Sequence, residues 1–253
     1  TKTSTGVAQP IWSPDGKKIA FTSRVFPEFG ADDAKNKARL HAMKKSPVQA
    51  HLADHLLYRH WTRYKDGRRS HIFVQDLDSG EVVDVPPGDN ESPAFDLGGD
   101  QGFVFSPDGK ELCFVSNRTS PDAQSWTTNK DVWVVSVEGG VPRNLTAANT
   151  AFDGHPAYSP DGKRLAWLTQ KIPGYEADRF RLAVYDPASR QVTVATEGFD
   201  NWVVDFQWAR DGQSLVFQAP VKGRYPLLRL SIKDWTVRPI PAVVNVRSWH
   251  MAS

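Results

Sequence analysis

One four-residue turn, repeated, restricts what this chain can fold into more than anything else in it. Ser13-Pro14-Asp15-Gly16, Ser106-Pro107-Asp108-Gly109 and Ser159-Pro160-Asp161-Gly162 are full copies, and Ala209-Arg210-Asp211-Gly212 is a worn fourth. Each copy sits in the same frame. An aromatic stands four residues before the glycine (Trp12, Phe105, Tyr158, Trp208), an aliphatic three after it (Ile19, Leu112, Leu165, Leu215) and an aromatic two further on (Phe21, Phe114, Trp167, Phe217).

Proline presets φ at the first turn position, aspartate suits the second, and glycine takes the positive φ that a side chain resists. The residues that follow alternate apolar and polar with period two, the pattern of a half-buried strand. Each unit is therefore a hairpin with an apolar face that it cannot bury alone, so the copies must stack. The turn aspartates are spaced 93, 53 and 50 residues apart. The last two spacings suit one four-stranded propeller blade each, close to the usual ~40–50 residues, and the first suits a blade with an insertion. The expected fold is all-β: a partial β-propeller of about four blades, with a short helical insertion in the first.

The expected blade units cover about 10–88, 92–146, 155–197 and 201–242. The insertion covers about 31–57. Its first part, 31–45, is rich in helix formers and stops before Ser46-Pro47, where proline blocks continuation; a second stretch, Val48 to Tyr58, is expected to be partly helical. Outer hairpins are expected at Asp131–Val137 with Asn144–Thr146, at Arg181–Tyr185 with Gln191–Ala195, and at Leu227–Ile232 with Trp235–Ile240.

Composition adds limits. A hydrophobic share of 40% with nine tryptophans is enough for a sizeable core, and a net charge of +2 gives no global field for nucleic acid or a membrane surface. Basic pairs such as Lys44-Lys45 and Arg68-Arg69 are short and read as solvated faces. The single cysteine, Cys113, lies within a strand pattern and reads as a buried thiol. No stretch approaches the ~18 apolar residues of a membrane span. The chain opens at Thr1 without an initiator methionine and reads as cut from something longer. A bacterial cytoplasm or periplasm would suit it equally.

With these residues in view, the chain resembles a known group. Its Ser-Pro-Asp-Gly turns resemble the propeller repeats of TolB-like proteins and of the prolyl oligopeptidase family. The stretch Leu56-Leu57-Tyr58-Arg59-His60-Trp61 with Asp66-Gly67-Arg68-Arg69-Ser70-His71-Ile72-Phe73-Val74, the helical insert before it, and Gly174-Tyr175-Glu176-Ala177-Asp178-Arg179-Phe180-Arg181 resemble the dipeptidyl aminopeptidase and acylaminoacyl peptidase branch. That resemblance implies a non-catalytic propeller of seven or eight blades that gates short peptides for a C-terminal α/β-hydrolase domain of the same polypeptide. The hydrolase domain is not in this sequence. A Gly-x-Ser-x-Gly elbow, which would expose a nucleophilic serine, does not occur, so no catalytic residue is assigned. The alternative reading is a TolB-like propeller that serves only as a protein-interaction platform.

Four residues are candidates for substrate binding. Arg59 could hold a carbonyl or carboxylate, or could anchor the insert by an ion pair. The resemblance implies that acidic groups on the propeller hold a peptide's free amino end, which points to Glu176 and Asp178; Arg179 and Arg181 nearby offer a salt-bridge cluster instead. Trp126 is a loop aromatic that could line a pocket. His51 and His55 share a helical face at i, i+4, but they lack the glutamate of a His-Glu-x-x-His motif and a third ligand. No metal or cofactor is expected. Two bare blade faces at the ends of a four-blade piece would be apolar patches prone to self-association.

Overall fold

The turns close on themselves in one way. Ser13, Ser106 and Ser159 each donate Oγ–H to the turn aspartate two residues on at 2.6 Å. Asp15, Asp108 and Asp161 in turn accept from the backbone N–H of Lys17, Lys110 and Lys163. The serine bond first, then the backbone bond, hold these carboxyls below the ordinary carboxylate range. The turn glycines have φ of 71°, 70° and 69°, the left-handed region in which a Cβ is strained.

Around these turns, the computed structural model describes residues 3–60, 62–95 and 102–251. Trp61 of the Tyr-Arg-His-Trp stretch lies outside them, as do residues 96–101 of the second expected blade unit. The first sheet takes β1 (Ala8–Trp12) and β2 (Lys18–Val25), and then the chain leaves it. The excursion holds helix α1 (Asp33–Lys45) and a small exposed hairpin, β3 (Arg59–His60) with β4 (Arg63–Tyr64). The chain returns as β5 (Arg69–Asp76) and β6 (Val82–Asp84), giving the order β1-β2-β5-β6. The second sheet is β7 (Phe103–Phe105), β8 (Glu111–Ser116), β9 (Asp131–Ser136) and β10 (Arg143–Asn144). The third is β11 (Asp153–Tyr158), β12 (Leu165–Thr169), β13 (Arg181–Asp186) and β14 (Gln191–Val194). The fourth is β15 (Asp205–Trp208), β16 (Ser214–Gln218), β17 (Leu227–Ser231) and β18 (Val237–Pro239). All four are antiparallel meanders, the sheet pattern of propeller blades.

The insert departs from expectation in its second half. α1 is capped by Asp32, whose side chain accepts from Lys35 N, but residues 48–58 form no helix. A short helix is marginal in water unless it packs an apolar face, and Leu52 here is 94% exposed. His51 and His55 therefore do not share a helical face.

The second-position strands also differ from the half-buried pattern expected of them. Every residue of β12 and β16 is buried, and five of six in β8. The cause is stacking on both sides. In β8, Leu112 and Phe114 enter the core shared with the first sheet, while Cys113 between them enters the core shared with the third. In β12, Leu165 and Trp167 face the second sheet and Ala166 and Leu168 the fourth. Each fully buried large side chain contributes roughly 1.5–3 kcal/mol. Cys113 is wholly enclosed, and burial pushes its thiol well up, so it is an inert core residue.

The end faces are not bare, which corrects the expected apolar patches. On the first sheet, Phe21, Val25 and Phe73 are at most 4% exposed. The N-terminal segment and the start of the insert lie over them, tied down by Ser4 Oγ–H to Asp33 and Thr5 Oγ1 to Ser23, at 2.6 and 2.7 Å. On the fourth sheet, Gln218 donates to Val246 O at 2.7 Å and Gln207 accepts from Met251 N at 2.9 Å, so the C-terminal segment crosses that face.

Candidate functional site

The long loops between the second and third strands of the blades, together with the connectors between blades, gather on the side opposite the Ser-Pro-Asp-Gly turns. They surround a cavity of about 590 Å³. Its walls come from Asn129 and Lys130 in the second sheet's loop, Gln170 and Glu176 in the third sheet's loop, and Glu91 and Phe152 in the connectors. Next to it on the turn side, Ile11, Phe103, Phe105, Pro156 and Phe206 on and beside the innermost strands line an open cleft of about 490 Å³.

Glu176 is exposed and lines the cavity. Asp178, expected beside it at the substrate, is placed inside the loop instead and is only 5% exposed. Its carboxylate accepts from Lys171 N at 2.6 Å, from Ile172 N at 3.1 Å and from Arg181 Nη1 at 3.2 Å. Burial works against its charge, but the Lys171 amide and the Arg181 guanidinium hold its carboxyl below the ordinary range. Gln170 Nε2 adds donations to the carbonyls of Glu176 and Asp178 at 3.1 and 2.6 Å. Asp178 thus braces the loop that carries Glu176. Gly174 N donates to Thr128 Oγ1 at 3.0 Å and ties this loop to its neighbour in the second sheet.

The other candidates lie off the cavity. Trp126 is 74% exposed; Gln124 and Thr127 beside it line the wall, but its ring does not. Arg59 is exposed on the β3–β4 hairpin with its guanidinium 5.9 Å from the Tyr58 ring, and the insert's contribution to the wall is Leu57. His51 stacks on Tyr64 at 4.2 Å, and His55 lies 3.7 Å from Asp54 and 3.6 Å from Asp122. Among the described residues no three His, Cys, Asp or Glu side chains are grouped to hold a metal.

Several wall residues escaped the sequence reading. Glu91 accepts from Ser70 N at 2.7 Å and also lines the cavity. Lys130 sits 5.2 Å from the Phe152 ring, and Phe152 meets Phe180 edge-on at 5.1 Å. His155, on the innermost strand of the third sheet, was also missed. Its one legible signal was the parallel between His155-Pro156 and Gln9-Pro10, each placed just ahead of a turn.

No protein-family model matches the chain. The dipeptidyl-peptidase 5 of Porphyromonas gingivalis is 28% identical over 239 residues, covering 93% of this chain and 34% of that protein. The dipeptidyl-peptidase 5 of Schizosaccharomyces pombe is 27% identical over 82% of this chain and 32% of its own length. Among solved structures, the acylaminoacyl peptidase of Pyrococcus horikoshii superposes with a TM-score of 0.60 at 14% identity, over 94% of this chain and 32% of that one. TolB from Acinetobacter baumannii gives 0.53 at 18% identity, over 93% and 43%. These structural likenesses establish the propeller fold. The chain spans about a third of the length of the curated relatives it matches. It is a partial homologue of dipeptidyl-peptidase 5, built as the β-propeller of a prolyl oligopeptidase-family peptidase is built.

Proposed function

We propose that this chain is the non-catalytic, substrate-gating propeller of a serine exopeptidase acting on short peptides, and that the loop-face cavity holds the peptide's free amino end. The bond-breaking steps belong to a C-terminal α/β-hydrolase domain of the same polypeptide. The observation that carries this reading is the placement of two carboxylates, Glu176 and Glu91, in the wall of one cavity, the first on a loop braced by Asp178. An ammonium group suits either carboxylate, in a wall that also carries Lys130, since charge-assisted bonds to carboxylate are among the strong ones. The apolar surface of Phe152 and Phe180 beside them suits the first side chains of a peptide. Asp178 acts as a positioning residue. Arg59 and Trp126, outside the wall, would reach only a ligand that extends over the loops.

The test is calorimetric titration of the chain with a short free-amine peptide and with its N-acetylated form. The free amine binds, and either acetylation or Glu176→Gln weakens binding by about tenfold or more. Equal binding of the two peptides overturns the reading. The second reading, an interaction platform, is favoured by the exposed rings of Trp126 and Tyr175, at 74% and 52%. It predicts no short-peptide binding at all.

A further inference from the structure

A separate cavity of about 400 Å³ lies in the outer part of the gap between the second and third sheets. The connector from β10 to β11 supplies one side of it, through Leu145, Thr146 and Asn149, and the third sheet supplies the other. A comparison of the four blades shows how the space arises. On each third-position strand, the residue paired with the second-strand aromatic is Phe73, Trp133, Ala183 or Leu228. Only the third blade has a small side chain there. The Trp167 indole takes up part of the room that Ala183 leaves, and the rest opens outward past Val192 and Val194 of β14, both exposed. The corresponding outer strand of the second sheet, β10, has two residues against four in β14, so it leaves these valines uncovered.

The cavity has two unlike ends. Leu145, Trp167, Ala183, Val192 and Val194 make an apolar floor, and Thr146, Thr169, Gln170 and Arg181, all buried, make a polar end. Most of the polar end is already engaged. Trp167 and Asn149 donate to the two oxygens of Asp153, and Thr169 donates to Gln170 O. Arg181 is the exception. Its Nη1 donates to Asp178 and to Arg179 O, its Nε lies 3.0 Å from Glu197, and among the described residues Nη2 has no partner. Lys171 and Arg181 meet two carboxylates, Glu197 and Asp178, so the charges around the guanidinium balance. A ligand that brought a further charge into this mostly apolar space would be desolvated without a counter-ion, which is costly. An uncharged acceptor for Nη2 meets no such cost. The same residues brace the loop that carries Glu176. Gln170 bonds the carbonyls of Glu176 and Asp178, and Lys171 N and Arg181 hold the Asp178 carboxylate.

We propose that this gap is a second ligand site, for an uncharged molecule with one ring-sized apolar body and a hydrogen-bond-accepting oxygen. The body lies on Trp167 and the β14 valines, and the oxygen accepts from Arg181 Nη2. A cavity of this volume is within the range that holds small ligands. Filling it restrains Gln170, Lys171 and Arg181 together, so the ligand stiffens the loop 171–178 from behind. The site adjoins the loop-face cavity at Gln170 and stands whether or not that cavity takes a peptide.

The probe is acetophenone, an aromatic ring with one uncharged acceptor, and benzoate is its charged counterpart. The indole N–H resonance of Trp167, identified by its loss in Trp167→Phe, reports occupancy, and hydrogen exchange reports the loop. Acetophenone shifts that resonance saturably and slows amide exchange across 171–178 by about threefold or more, while benzoate binds more weakly by about tenfold or more. Val194→Phe fills the space from an exposed rim position and removes both effects, with the other indole resonances in place. Ala183→Leu, which copies the fourth blade, is the second filling variant. No saturable shift in wild type overturns the site, as does a shift that survives both filling variants. Equal binding of benzoate overturns the ligand class, and occupancy with unchanged exchange overturns the link to the loop.

Discussion

Gly162 packs against Pro107, the proline of the turn one blade earlier: a Cβ built on the glycine would lie 3.7 Å from the ring. Gly109 stands in the same relation to Pro14 at 3.6 Å, and Gly212 to Asp161 at 3.5 Å, while Gly16 in the first turn meets nothing within 4 Å. The turns therefore form a stair, each step seated on the one before. The contact distances are ordinary, so an added methyl is opposed by backbone conformation rather than by crowding. Gly162→Ala and Gly16→Ala should each lower stability by about 1–2 kcal/mol, and by similar amounts. Urea unfolding of both variants checks this; a much larger loss at Gly162 would mean that the stair itself resists the methyl.

Asp153 gives the fold a pH dependence of unusual sign. Its carboxyl is 1% exposed and accepts from Trp167 Nε1 at 2.7 Å and Asn149 Nδ2 at 2.9 Å. Burial raises it to about 6 from the ordinary 3.8, against the hydrogen bonds of Thr169, Trp167 and Asn149. The folded state thus holds a proton that the unfolded state has released. This group's cost is absent below pH 4, grows as pH rises towards 6, and is complete by pH 7, where it is on the order of 2–3 kcal/mol. Asp153→Asn, which can still accept from Trp167, should flatten stability across that window and stabilise the protein at pH 7. Denaturant midpoints at pH 4.5 and 7 for both proteins measure it.

Asp178 should matter more to stability than its place beside Glu176 suggests. Asp178→Ala leaves the Arg181 guanidinium, whose side chain is 9% exposed, with one of its two carboxylate partners gone and frees two loop amides. Breaking a buried pair from one side costs roughly 3–5 kcal/mol, somewhat less here because Glu197 lies 3.0 Å from Arg181 Nε. Thermal unfolding should fall accordingly, and amide exchange should speed up across 171–178. Trp126→Ala, at an exposed ring, should leave both unchanged.

The C-terminal segment should act as a cover. Ending the chain at Ala242 removes the partners of Gln218 and Gln207 and bares the face that holds Val216, now 1% exposed. Light scattering should show the shortened chain associating where the parent does not.

What was legible in the sequence was whatever local chemistry dictates. Serine, proline, aspartate and glycine in that order specify a turn wherever they fall, and the aromatics flanking Gly109 and Gly162 mark the strands on either side. Glu176 was within reach for the same reason, as an acidic residue in a loop between strands. What was not legible depends on neighbours. The alternation in β8 reads as one buried face until a second sheet is known to cover Cys113. Asp178 reads as a surface acid until Lys171, Ile172 and Arg181 are seen closing on it. His155 reads as a strand residue, because only a register slip and the two spaces it lines mark it out.

The two-sided burial of β8 and β12 has a consequence for how such a molecule can change. Phe114 belongs to one core and Cys113 to the next, so each interior blade is roof to one neighbour and floor to the other. No core is common to all four. Among the described residues the buried clusters join only adjacent blades, as in a linear array whose stability sums over nearest neighbours. A propeller of this design can gain or lose length in whole-blade steps without its interior being redesigned, and it should begin to unfold from its ends.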